Sequence, residues 1–236
     1  VRNLQEDIDI WLRGLESEMN TIDLKDSLEE KKSQSERLKR LQKSIVSKES
    51  NIKSLKEEAN NLNIEALSNQ VDSIELRYSS LIDKVQDCIS EWNKYVDNHT
   101  LLDSLIDNCK KINNRIKLKL KEIEESDDLE NQLNEINQLI NEKEPNSTFD
   151  KLNQQLQQVL NQTLLSARND LSNLIKDIIN ERNELIKKLF DMRTYLSEKY
   201  KVYQKSEQMM KQVGKAIENL EYSIVEASLF TASLSE

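Results

Sequence analysis

The chain has 236 residues, 43 of them acidic and 34 basic for a net charge of -9, with only 2 glycines and 1 proline. Average globular domains carry roughly 7% Gly and about 5% Pro, so this chain makes few tight turns, which excludes a sheet-rich fold and requires mostly long helix. A mean hydropathy of -0.74 favours narrow apolar seams over a deep core, and the acidic balance argues against nucleic acid or an anionic membrane as the main partner.

The first helix is predicted over 1–20, where Leu4, Ile8, Trp11, Leu15 and Met19 recur at steps of three and four. Polar breaks at Asn20-Thr21 and at Asn60 to Asn63 bound a second helix over 26–61 and open a third over 66–96. The third carries a stripe of Tyr78, Leu81, Val85, Cys88, Trp92, Tyr95, His99 and Leu102, polar only at His99. No Gly or Pro between Tyr78 and Leu120 stops it, so it runs without interruption into a fourth helix over 97–124. Cys88 and Cys109 fall on this one helix at a separation of roughly 30 Å, beyond disulfide reach, and read as small core residues in a reducing compartment.

Within the fourth helix, Lys110, Lys111, Arg115, Lys117, Lys119 and Lys121 form a basic stretch. Its alternation spreads the charge around the helix, as on a solvated face; the competing reading is an electrostatic contact with actin, lipid or an acidic partner. Glu125-Ser126-Asp127-Asp128 supplies cap chemistry for a fifth helix over 128–162. That helix contains Pro145, which removes a backbone donor and costs ~3 kcal/mol unless the helix bends or stops. Asn146 and Ser147 can cap a restart. An opening here would offer Pro145, Asn146 and Phe149 to a partner helix. A sixth helix is predicted over 166–203. The tail, 204–236, carries Met209, Met210, Val213, Ile217, Leu220, Ile224, Leu229 and Phe230 as an apolar stripe. It reads either as an unpartnered end that folds back or pairs between chains, or as a docking helix in which Met210, Val213 and Ile217 make the contact.

The two tryptophans test for an internal repeat. Equating Trp11 with Trp92 gives a period of 81 that fits locally and then decays, because Leu38 meets Lys119 and Ile74 meets Gln155. A shift of 101 carries Leu4, Ile8, Trp11, Leu15 and Met19 onto Leu105, Cys109, Ile112, Ile116 and Leu120. It also pairs Leu38 with Leu139, Ile74 with Ile175, Tyr78 with Ile179 and Val85 with Ile186. The exceptions are Leu41 with Glu142, Ile45 with Asn146 and Leu81 with Arg182. A second shift brings Met210, Val213 and Ile217 into the register of Ile8, Trp11 and Leu15. The organisation expected is therefore a repeat over 1–96, another over 97–203, and the first helix of a third or a tail helix over 204–236, with 81 as the competing period. No flexible linker separates the repeats, so the joint is helix.

Nothing in this pattern points to catalysis. His99, the single histidine, sits on the core stripe; Gly14 and Gly214 each stand alone inside a helix, and no cysteine or histidine set has metal-ligand spacing. No enzyme activity, metal or cofactor is expected. No apolar run approaches the roughly 20 residues of a membrane span, and no signal-peptide pattern opens the chain. Three Asn-x-Thr triplets or their Ser equivalents begin at Asn98, Asn146 and Asn161, a pattern common by chance.

Three-helix units of this length, joined by a continuous helix and carrying the first-helix residues Ile8, Trp11, Leu12 and Leu15, resemble spectrin repeats. Leu76-Arg77-Tyr78 stands where that family often has an Arg-Trp pair, while repeat two has Ile112 and Ile179 in place of the two aromatics. Aromatic-poor, Asn- and Ser-rich repeats look most like those of giant nesprins or plakins. The resemblance implies an all-α fold of tandem three-helix antiparallel bundles forming a monomeric rod, with Trp11, Tyr78, Trp92, Ile112 and Ile179 in the core. It also implies a cytoplasmic, cytoskeletal place, at the outer nuclear membrane for a nesprin, with membrane contact only through other parts of the parent protein. The partners implied are cytoskeletal proteins, among them actin or an actin-regulating protein such as a formin. The alternatives from other classes are a membrane-binding module of the BAR type and a dimeric coiled coil.

Overall fold

The computed structural model describes the backbone of residues 2–62, 64–142 and 144–233. Its elements are α1 (Arg2–Met19), α2 (Leu28–Val46), α3 (Glu49–Leu62), α4 (Glu65–Glu125), α5 (Leu129–Asn141), α6 (Glu144–Asn161) and α7 (Leu165–Ser233). Among the described residues there is no strand, only an isolated bridge between Lys25 and Thr163. The fold is all-α, and α4 carries the expected unbroken passage across residues 96 and 97 in a helix of 61 residues.

The period of 101 recurs in the local chemistry. Helices α2 and α5 begin 101 residues apart, at Leu28 and Leu129, behind caps at Ser27 and Asp128. Ser27 accepts from the Glu30 backbone N–H while the Glu30 carboxylate reaches back to the Ser27 N–H, a reciprocal pair that satisfies two otherwise orphaned donors. Asp128 accepts from the N–H groups of Glu130 and Asn131. The two caps therefore lie one spacing of 101 residues apart.

The second predicted helix, 26–61, is two helices instead of one. The step lies at Ser47-Lys48, where the Ser47 hydroxyl donates to the Ser44 carbonyl at 2.7 Å and the Lys48 N–H bonds Ile45 O three residues back. A serine bonding its own preceding turn competes with the regular ladder and bends a helix. The fifth predicted helix also divides. α5 ends at Asn141, with Glu142 extended at ψ 119, and α6 restarts with Pro145 in its first turn, where no backbone donor is needed. The proline thus marks a new beginning of helix.

Contacts gather the chain into two units, Val1–Cys109 with Asn146–Ile178, and Lys110–Pro145 with Ile179–Glu236. In the first, α1 lies parallel to the start of α4: Gln5 donates to Gln70, and Arg77 grips both Asp9 and Glu16. α2 and α3 run antiparallel to α4, since the partners Lys56–Glu75, Ile45–Tyr78 and Ser35–Asn93 descend one helix while climbing the other. Leu12, Leu15, Leu38, Ile45, Leu55, Ile74, Leu81, Val85 and Trp92 fill the seam. Tyr78 is buried there with its hydroxyl donating to Ile45 O at 3.1 Å. Trp11 packs half-buried at the margin.

In the second unit, Asn113 and Lys117 bond Glu181. α7 lies parallel to the end of α4, since Ile116 and Leu120 cluster with Leu185 and Leu189 and Ile123 with Leu196. α5 runs antiparallel, with Leu139 and Ile140 beside Ile116 and Leu129 and Leu133 beside Ile123. Ile116, Leu120, Leu185 and Leu189 form one core cluster, with Ile112 against it. Ile123, Ile136 and Leu196 form another. Positions 101 apart share their burial: Ile8 with Cys109, Leu15 with Ile116, Leu55 with Leu156 and Ile74 with Ile175 are buried, and Trp11 with Ile112 half-buried. Tyr78 and Ile179 differ by a step, buried against half-buried. Where the chemistry changes, the burial persists. Leu12 and Leu81 are buried, and so are their counterparts Asn113 and Arg182. Trp92 is buried edge-on to Tyr95, with ring centres 5.5 Å apart, whereas its counterpart Arg193 is exposed. The two tryptophans therefore occupy different positions.

Candidate partner-binding surfaces

The region around Pro145 offers less open surface than its sequence promises. Asn146 is exposed, but Phe149 is 8% exposed and serves the core, because α6 brings it one turn along a face that continues through Leu152, Leu156 and Val159. The side chain of Pro145 lies outside the described residues. Phe149 is thus committed inward, which corrects its reading as a groove-lining contact.

The basic stretch is largely neutralised. Arg115 pairs with Glu142, Lys117 with Glu181, Lys119 with Glu122 and Lys121 with Glu125. Lys117 and Asn113 together hold the Glu181 carboxyl below the usual carboxylate range. Lys110 and Lys111 are exposed. Four of the six cations already face acids, so the stretch presents mixed charge and not the concentrated basic face that anionic lipid requires.

On α7 the situation reverses. Met209, Met210, Val213, Ile217, Leu220 and Ile224 are all half or more exposed, in steps of three and four over four turns. Met210, Val213 and Ile217 occupy the register in which Ile8, Trp11 and Leu15 are covered by other helices. Tail residues Leu229 and Phe230 have side chains outside those described. Scattered apolar side chains are ordinary on a surface, whereas a continuous stripe in a core register marks a face built to be covered.

Two polar clusters complete the picture. Arg77 donates to Glu16 through Nε and Nη2 at 3.0 and 2.9 Å and to Asp9 through Nη1 at 2.5 Å. These bonds hold the carboxyls of Asp9 and Glu16 below the usual carboxylate range and tie α1 to α4. The second cluster was not legible in the sequence. His99 is buried as its stripe predicts, but against Lys31, whose side chain is 0% exposed and lies 3.1 Å from His99 Nδ1. A lysine in the run Lys31-Lys32-Ser33-Gln34 reads as solvated, and only its spacing to Leu38 and Ile45 along the inward face of α2 hints otherwise.

Among the described residues no group of three or more His, Cys, Asp or Glu side chains can hold a metal ion, and no helix is long and apolar enough to cross a membrane. Over 112 residues, 47% of the chain, the sequence is 33% identical to the Muscle-specific protein 300 kDa of Drosophila melanogaster. The matched stretch is 1% of that protein's length and a little longer than one period of the present chain. No protein-family model and no solved structure matches. The chain is thus similar to a small part of a very large muscle-specific protein.

Proposed function

We propose that this chain is a non-enzymatic structural segment of a giant helical-repeat protein of the spectrin-repeat kind, carrying tension along continuous helices and docking cytoskeletal proteins on its surfaces. The observation that carries the reading is the recurrence of caps and buried positions at a spacing of 101 residues around an uninterrupted α4. Residues that recur in this way make each bundle a copy of the last, and a helix shared across the period joins them without a flexible linker. The similarity to the Drosophila muscle protein supports a long parent chain. Actin or an actin-regulating protein such as a formin is the first partner to test, and the cytoskeleton, including the cytoplasmic face of the nuclear envelope, is the proposed place. The paired state of Arg115, Lys117, Lys119 and Lys121 disfavours a membrane-binding module.

The apolar stripe of α7 is assigned to helix docking. Changing Met210, Val213 and Ile217 together to Glu touches only exposed side chains, so helix content and unfolding midpoint stay as in the wild type. Co-sedimentation with purified actin and with a formin should be reduced at least about tenfold, the loss expected when ~1.4 kcal/mol of apolar contact is removed. Wild-type chain that pellets with neither would remove these partners, and undiminished pelleting of the variant would remove the stripe as the contact.

A further inference from the structure

Where α2, α4 and the turn between α6 and α7 meet inside the first unit, three polar side chains are closed off from water. Lys31 is 0% exposed, Thr163 0% and His99 6%. Lys31 Nζ donates to Thr163 Oγ1 at 2.9 Å and lies 3.1 Å from His99 Nδ1, and the Thr163 hydroxyl donates onward to Val159 O at 2.7 Å. A protonated amine has no lone pair and can only donate, so Nδ1 accepts and the neutral imidazole carries its proton on Nε2. That nitrogen faces Asp103, 3.9 Å away and itself half exposed. Among the described residues no carboxylate forms an ion pair with Lys31, and Asp103 acts on it only through its charge. The same turn is tied to the rest of the unit by the Lys25 bridge, by Ser166 donating to Asp26, and by Asn98 donating to Gln162. At the position 101 residues on, the buried polar residue is Gln132, which donates to Ile123 O and Ser126 O and carries no charge.

A buried cation without a carboxylate partner costs stability unless its donors are satisfied, and a histidine accepting from it cannot take up a proton without placing two cations 3.1 Å apart. We propose that Lys31, His99 and Thr163 form a proton-sensitive latch, closed while the imidazole is neutral and opened when His99 is protonated, that fastens the α6–α7 turn to α2 and α4. The groups that bear on it are few. Burial first, then the Lys31 charge, depresses the proton affinity of His99, and Asp103 opposes them. Burial lowers the Lys31 ammonium from 10.5 to about 8, again with Asp103 opposing.

Both shifts act in one direction. Each base binds its proton more weakly folded than unfolded, so the unfolded chain holds the extra proton and stability rises with pH through each window. For His99 the stabilisation is lost as pH falls below about 6.5; for Lys31 it grows between about 8 and 10.5. In a chain of net charge -9, general charge repulsion would give the opposite trend above pH 8. The latch therefore has a signature that packing alone would not give.

Because His99 is the single histidine, its ring C–H resonances report the latch directly. In the full chain they should titrate below the ordinary value of about 6.5, and Lys31→Met should raise the midpoint by at least about half a unit by removing the like charge. Urea-unfolding midpoints of the wild type should rise from pH 8 to pH 10, and that rise should vanish in Lys31→Met, which keeps the apolar stem and folds. A His99 midpoint equal in both proteins, or equal pH slopes, would overturn the latch. Thr163→Val removes the other acceptor, and wild-type unfolding of that variant at every pH would take the α6–α7 turn out of it.

Discussion

Replacing Leu12 with Asn should lower the stability of the chain by about 3–5 kcal/mol, read as a fall in the urea midpoint at unchanged slope. Leu12 is 0% exposed and lies in the same buried apolar cluster as Leu81. An asparagine there loses the leucine packing and adds an amide with no polar partner among Ile8, Leu15, Leu81 and Val85. The chain itself contains the control. At the position 101 residues on, Asn113 is equally buried, but Nδ2 donates to Glu181 at 2.8 Å and buried Arg182 stands where Leu81 does in the first unit. Asn113 has a polar partner that position 12 lacks, so the same residue type is tolerated at one position and costly at the other. If Leu12→Asn lowers the stability by less than about 1 kcal/mol, the apolar enclosure of Leu12 is wrong.

Replacing Asp97 with proline should cost ~3 kcal/mol or more, whereas Asp97→Ala stays within about 0.5 kcal/mol. Asp97 is exposed and lies mid-way along α4, so its side chain holds little. Its backbone N–H belongs to the ladder that carries α4 unbroken past residues 96 and 97, and a proline removes that bond and clashes with the turn before it. Contrast Pro145, which sits in the first turn of α6 and leaves no donor missing. One residue type is thus harmless at a helix start and disruptive at the joint. Calorimetry that shows equal melting for the Pro and Ala variants would mean that α4 is not continuous in solution.

What the sequence revealed and what it concealed follow from the physics of each feature. Apolar seams and caps are local patterns, so the stripe from Tyr78 to Leu102, the caps at Ser27 and Asp128 and the interruption beside Pro145 could all be read or nearly read from spacing. The step at Ser47-Lys48 could not, because a serine bonding its own turn looks like any other helical serine. Lys31 was hidden for the same kind of reason. Its burial depends on a turn 132 residues away supplying Thr163, and no local window contains that information. Phe149 misled by its nearness to the proline, since helix phase, not the break, decides which way it points. The polarity mismatch of Leu81 with Arg182 looked like an imperfection in the period and is a buried substitution in the second bundle.

Single-molecule pulling on the intact chain, held at its two ends, tests the central claim most directly. A tension-bearing segment of period 101 should resist load and then lengthen in steps of one period, roughly 350 Å of extended chain, or of two periods released together through α4. Asp97→Pro should convert joint release into separate steps. Extension without resistance, or steps of roughly 280 Å matching a period of 81, would contradict it.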